Sequence, residues 1–235
     1  MPYVFLALFA VAAAINLIGA KTDKAALSNI SKPALLLLLC LYCITASMPN
    51  TDILLVIALA ACWLGDILLM LKGNVWFAAG GVSFFAGHVL LIFTFANRLD
   101  SNYNVLNIIL GISAVYAAVA CVVMVFAKKT PKIMIVPMLL YLLCNGVMNA
   151  FAFLCLWRSG GIAMRVPGPE DIRQMVNCAI SFAGAVLFFI SDCALFLMRF
   201  GDEKKRFYKT NFFVMLTYIL GVCLITLGLC PIWKR

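Results

Sequence analysis

A single histidine, His88, serves all 235 residues, and Asp and Glu together number nine. A zinc centre built from three histidines is therefore excluded. Charge of either sign is scarce, 11% of the chain against 66% hydrophobic, where a soluble domain carries about a quarter charged residues. So much apolar surface cannot be hidden in a soluble core of this size, and lipid must be the solvent. Long polar stretches are also lacking. The longest connection between apolar runs, about 158–173, holds Gly160, Gly161, Pro167 and Gly168 and is too short to be a soluble domain. The reading is one domain over 1–235, with no linker and no low-complexity tail. The first apolar run has no basic stretch ahead of it and is followed by Lys21, Thr22 and Asp23 rather than a small-residue cleavage site. It reads as a retained helix and not a signal peptide.

What the chain has in abundance is apolar runs of membrane length. A bilayer core of about 30 Å needs roughly 20 apolar residues per helix. Eight such segments are legible: about 3–20, 33–49, 53–71, 75–97, 103–127, 133–157, 174–198 and 210–230. The fold class is all-α, a polytopic membrane bundle of eight transmembrane helices. The odd-numbered connections hold twelve Lys and Arg (Lys21, Lys24, Lys32, Lys72, Lys128, Lys129, Lys132, Arg199, Lys204, Lys205, Arg206, Lys209), and the opposite side holds six (Arg98, Arg158, Arg165, Arg173, Lys234, Arg235). That bias predicts cytoplasmic odd-numbered connections and both termini outside. The net charge of +9 suits anionic membrane lipids as partners. A nucleic-acid partner would need a basic folded face, and none is available.

The ten cysteines lie in or at the ends of apolar segments, for example Cys40, Cys43, Cys121 and Cys144. There they read as small buried hydrophobes. The one Cys-x-x-Cys, Cys40 to Cys43, lacks the strand–helix context of a redox motif.

Against this apolar background two acids stand out: Asp66 in "CWLGDILLM", residues 62–70, and Asp192 in "FFISDCALF", residues 188–196. An ionisable residue inside a spanning helix costs about 2.5–3.5 kcal/mol on insertion scales. Their surroundings rhyme as a small residue, Asp, two residues and Leu. Asp66 lies six residues before Lys72 and Asp192 seven before Arg199, about 9 and 10.5 Å from those charged ends. Segments three and seven run in the same direction, so both carboxyls are expected at one depth, in the cytoplasmic half. That placement suggests a four-plus-four quasi-repeat of segments 1–4 and 5–8. Two costly carboxyls at one depth favour a function, and one protonated with one ionised partner would make an acid/base pair.

Other polar groups are candidates for completing the site. Phe77, Gly80, Phe84 and His88 in "FAAGGVSFFAGH" share one helical face, with Gly80 allowing close approach of a neighbour. His88 is about 13 residues into its segment, roughly 20 Å from the cytoplasmic end. That count places it deeper than the aspartates and outside a direct triad. Tyr141, Asn145 and Asn149 repeat every four residues on segment six, and Tyr218 is about nine residues into segment eight, near the aspartate depth. Interhelical hydrogen bonding is the competing reading for these amides and phenols. Lys32 precedes Pro33 at the cytoplasmic start of segment two, where either lipid-phosphate contact or snorkelling fits.

Together these residues carry a resemblance over nearly the whole chain. Lys32-Pro33, then Gly65-Asp66-Ile67-Leu68-Leu69, then Phe77, Gly80, Phe84 and His88, then Pro137 and Tyr141, then "GAVLFFISDCALF" at 184–196 and Thr217-Tyr218 follow in order. In this the sequence resembles the lysoplasmalogenases, YhhN-like membrane proteins. One departure is visible: family members often carry a glutamine shortly after the segment-eight tyrosine, where this chain reads "TYILGVCLI" with Val222 near that place. No amide role carries over.

The resemblance implies hydrolysis of the vinyl-ether bond of a lysophospholipid substrate, without metal or organic cofactor. Asp66 and Asp192 are the expected catalytic pair. His88, Tyr141, Asn145, Ser191 and Tyr218 are expected around substrate or water, and Lys32 at the phosphate. The single acyl-like tail would enter laterally from the membrane into a hollow shared by the two acids. Two rival readings use the same aspartates. An intramembrane aspartyl protease would carry Gly-x-Gly-Asp, but Trp63-Leu64-Gly65-Asp66 lacks the first glycine, and Ser191 stands where such a protease has tyrosine. A proton-coupled lipid or small-molecule transporter would use the acids as a relay, but paired Gly/Pro interruptions in both halves are not seen.

Overall fold

The structure, a computed structural model, describes residues 2–22, 24–99, 106–165, 168–202 and 210–230. Among them are eight α-helices: α1 (Pro2–Lys21), α2 (Ala25–Ser47), α3 (Ile53–Met70), α4 (Asn74–Ala96), α5 (Leu106–Phe126), α6 (Lys132–Arg165), α7 (Pro169–Phe200) and α8 (Thr210–Leu229). Each is long and apolar enough to cross a membrane. The described residues contain no strand. Backbone polar groups in hydrocarbon must be satisfied within their own segment, which is why such runs can only be helices here. Residues 103–105 of the expected fifth segment, and Asp23, Pro167, Lys204, Lys205, Arg206, Lys209, Lys234 and Arg235 of the expected connections and tail, lie outside the described residues.

Three helices exceed their apolar runs. α2 begins at Ala25 rather than near residue 33, so Pro33 is inside the helix and not at its start. The added turns are polar, but Asn16 of α1 ties them down, its Nδ2 donating to the Ser28 carbonyl and to Ser31 Oγ. α6 continues to Arg165 and α7 starts at Pro169, so the expected long connection at 158–173 is largely helix. Hydropathy marks where the apolar run ends, whereas helical hydrogen bonding runs on. The start of α7 has its own local cause: Pro169 occupies the first turn with Glu170 and Asp171 behind it, where a missing N–H costs nothing and negative charge suits the helix dipole.

Consecutive helices pack side by side, α1 on α2, α3 on α4, α5 on α6 and α7 on α8, with α4 and α7 also against α6. The closest approach is between α7 and α8. A methyl group at Gly184 would lie 2.6 Å from the Ile225 backbone nitrogen, and one at Gly221 would lie 2.9 Å from that of Phe188. Small residues at such points let backbones touch where lipid offers no hydrophobic drive for association. Gly65 does the same for the Phe84 ring on the α3–α4 face. Opposite sides of the bundle are apolar and exposed, Val115, Val119, Val122 and Val125 of α5 among them, as lipid contact requires. No disulfide joins any of the ten cysteines.

Candidate active site

Asp66 and Asp192 sit on the buried faces of α3 and α7 at 1% and 5% exposure. Each carboxyl receives a phenol from a different helix. Tyr218 of α8 donates its hydroxyl to Asp66 Oδ2 at 2.6 Å, and Tyr141 of α6 donates to Asp192 Oδ2 at 2.8 Å. Asn145, one turn beyond Tyr141, donates its amide to the same Asp192 oxygen at 2.7 Å. The four-residue spacing seen in the sequence therefore puts both donors on one carboxylate oxygen.

The partners are otherwise unequal. Lys32 Nζ is 3.2 Å from Asp66 Oδ1, with 16% of its side chain exposed. Pro33 in the next position accepts from Trp63 Nε1 of α3 at 2.8 Å, which fastens this turn of α2 beside the aspartate. No Lys or Arg among the described residues makes an ion pair with Asp192. The His88 imidazole is also near, its Nε2 3.8 Å from Asp192 Oδ2, too far for a hydrogen bond.

His88 is thus beside Asp192 and not beyond it, a correction to the depth expected from counting residues. α4 and α7 are antiparallel: Phe77 packs on Phe196 and Phe200, and Phe84 on Phe188. In that register His88 starts about one to two turns deeper than Asp192. Side chains tilt toward the N-terminus of their own helix, so on antiparallel helices these two lean toward each other. Residue counting along one axis omits that convergence.

An aromatic wall joins the two acids. Phe188 packs on Tyr218 with ring centroids 5.4 Å apart and on His88 at 4.9 Å, and Phe84 touches both Phe188 and Tyr218. Tyr141 meets His88 edge-on at 5.2 Å. The arrangement is reciprocal: α8 of the second half reaches the aspartate of the first, and α4 of the first reaches that of the second.

The remaining expected residue, Ser191, is buried with its hydroxyl donating to the Val214 carbonyl at 3.0 Å, a link between α7 and α8. Two residues were missed by sequence reasoning. Tyr116 of α5 donates to Asn149 Oδ1 at 3.1 Å, and Asn149 in turn donates to Asn145 Oδ1 at 3.0 Å. A lone tyrosine in an apolar helix gave no periodic signal. Phe188 was inside the quoted run but looked like any core aromatic. Among the described residues no group of three His, Cys, Asp or Glu is arranged to hold a metal ion.

Eight membrane-length helices closed around a buried pair of hydrogen-bonded carboxyls define a membrane protein with a polar site inside its apolar bundle. The model of the YhhN family, the family of lysoplasmalogenases, matches residues 27–229, and the chain belongs to that family. The match takes in α2 to α8 almost entirely, and every residue of the site lies within it. Membership fits a membrane hydrolase. No curated protein and no solved structure matches the chain.

Proposed function

We propose that the protein hydrolyses the vinyl-ether bond of lysoplasmalogens, releasing a fatty aldehyde and a glycerophospho-headgroup compound. The observation that carries this reading is the convergence of Asp66 and Asp192 on one aromatic-walled site with different partners. A vinyl ether is cleaved by protonating its outer alkene carbon, which makes an oxocarbenium ion on the carbon bearing oxygen. Water adds to that carbon, and the hemiacetal then collapses with transfer of a proton to the glycerol oxygen.

The unequal partners divide the work. Asp66, with Lys32 on one oxygen and Tyr218 on the other, is the standing carboxylate that faces the cation. Asp192, with only neutral donors and an imidazole around it, is the acid that gives its proton to carbon. Once Asp192 is ionised, the Tyr141 and Asn145 donors hold the new charge more strongly than they held the acid. Such donors, fixed before the reaction, stabilise charge as it develops. Lys32 has further N–H donors for a lipid phosphate. The substrate is a single-chain lipid, which is a reason for such a site to be inside a membrane bundle.

The test is aldehyde release by purified protein from vinyl-ether, alkyl-ether and ester lysolipids. Turnover of the first alone, lost in both Asp66→Asn and Asp192→Asn while the variants stay folded, supports the reading. Normal turnover in both variants overturns the acid/base assignment. Passage of lysolipid between leaflets with no cleavage supports the transporter instead.

A further inference from the structure

His88 is fully buried, and its Nε2 has no hydrogen-bond partner among the described residues, while the Phe84 carbonyl one turn earlier interacts with the ring. A buried imidazole left in this state is costly, on the order of 1–3 kcal/mol for each unsatisfied group. Its two ring contacts, Tyr141 and Phe188, hold it edge-on and tilted, and neither offers Nε2 a partner. Nε2 is 3.8 Å from Asp192 Oδ2. Two polar atoms at that separation are too far apart to bond directly and near enough for one small molecule to touch both.

The other candidates for handling water are already engaged. Asp66 has Lys32 on Oδ1 and Tyr218 on Oδ2. The Tyr141 hydroxyl and the Asn145 amide are directed at Asp192 Oδ2. Asp192 Oδ1 has no hydrogen-bond partner among the described residues, and the side chain keeps 7% exposure. The unsatisfied polar positions in the site are thus His88 Nε2 and Asp192 Oδ1.

We propose that His88 Nε2 and the Asp192 carboxyl together bind one water molecule, and that this is the water which captures the oxocarbenium ion, with His88 accepting its proton. This rests on the vinyl-ether reading. The balance is simple: Asp192 gives a proton to the alkene carbon, and the water oxygen bonds to the neighbouring carbon. The water's proton goes to Nε2, and that proton later leaves with the glycerol oxygen as the C–O bond breaks, while the remaining hydroxyl proton returns to Asp192. The net change is addition of one water. Placing the water on the acid's own side of the substrate makes the addition syn, so both new bonds form on one face of the alkene.

A residue that serves only packing and one that captures the cation differ in what happens after carbon protonation. In the wild type, fast capture commits every protonated substrate to product, so lysoplasmalogen recovered part-way through reaction in D2O keeps its vinyl hydrogen. In His88→Phe, which keeps a ring between Tyr141 and Phe188 but offers no lone pair, capture slows, and the longer-lived cation turns about its C–C bond so that the Asp192 carboxylate takes back the original hydrogen and leaves the deuteron it gave. The expected result is aldehyde release reduced at least tenfold, with deuterium in the vinyl position of recovered substrate. His88→Gln, whose amide can hold a water but cannot take its proton, recovers at most a small part of the aldehyde release and still shows the exchange.

If His88→Phe does not fold, His88→Ala carries the same test: exchange without imidazole, and renewed hydrolysis when imidazole is added. A folded His88→Phe with wild-type turnover and no exchange overturns the water site. So does one that loses both hydrolysis and exchange, since the histidine would then act before or during protonation. If wild-type protein itself releases no aldehyde, the hydrolase reading has failed and the water site falls with it. Wild-type turnover with the first two outcomes leaves that reading standing.

Discussion

Lys32 Nζ is 3.2 Å from Asp66 Oδ1, while the aspartate of matching local sequence on α7 has a tyrosine and an asparagine on one oxygen and no such cation. Two carboxyls in rhyming sequence have therefore been given opposite electrostatic settings. This asymmetry supplies the first prediction.

Lys32→Met leaves Asp66 in the bundle without its counter-charge. Removing one partner of a buried ion pair costs about 3–5 kcal/mol, and the partial exposure of Lys32 places the loss at the lower end. Lys32→Met/Asp66→Asn regains stability while remaining inactive. Denaturant unfolding in detergent micelles measures both. A double variant that loses the simple sum of the two single losses shows that the pair is not coupled.

Tyr141→Phe keeps the ring against His88 and Phe196 and removes one of the two donors to Asp192 Oδ2. A hydrogen bond to a charged group contributes about 1.5–3 kcal/mol, so turnover falls by about ten- to a hundredfold. The loss is expected in kcat, because the bond matters most once Asp192 has given up its proton. Steady-state aldehyde kinetics give the split, and an effect confined to KM contradicts the role.

Tyr116→Phe breaks a contact two steps from the carboxyl. Without that hydroxyl, Asn149 keeps its amide bonds to the Asn145 carbonyl and Oδ1 but loses the contact that fixes its own oxygen, so its hold on Asn145 loosens. A smaller fall, about two- to fivefold in turnover, is expected, and it vanishes in an Asn145→Ala background. Equal effects in both backgrounds show that Tyr116 acts elsewhere.

Gly184→Val puts side-chain atoms where the α8 backbone now lies. The helices must separate, at a cost of roughly 1–3 kcal/mol or more, and with them Phe188 of α7 from Tyr218 of α8. Gly81→Ala, where nothing lies within 4 Å, is the control and should leave thermal unfolding unchanged.

Much of the bundle was legible because lipid imposes a length rule on every span, and apolar runs of that length are conspicuous in a chain with 11% charge. The same rule made the two intramembrane aspartates stand out by their cost. What it did not mark was where helix persists beyond the apolar run, as in α2, α6 and α7. Helix ends there are set by backbone hydrogen bonds and by contacts such as Asn16 with Ser31, which depend on a neighbour's position.

The sequence by itself determined that there would be eight spanning helices, that two acids would lie on parallel ones at similar depth, and that Tyr141 and Asn145 would share a face. These follow from solvent, rise per residue and helical period, all local properties. Only the tertiary structure decided that Lys32 belongs to Asp66, that His88 leans back to Asp192 with its Nε2 unsatisfied, and that Tyr116 reaches the site through two asparagines. Those facts depend on which helices are neighbours and on the directions in which antiparallel side chains tilt, and no single helix encodes either.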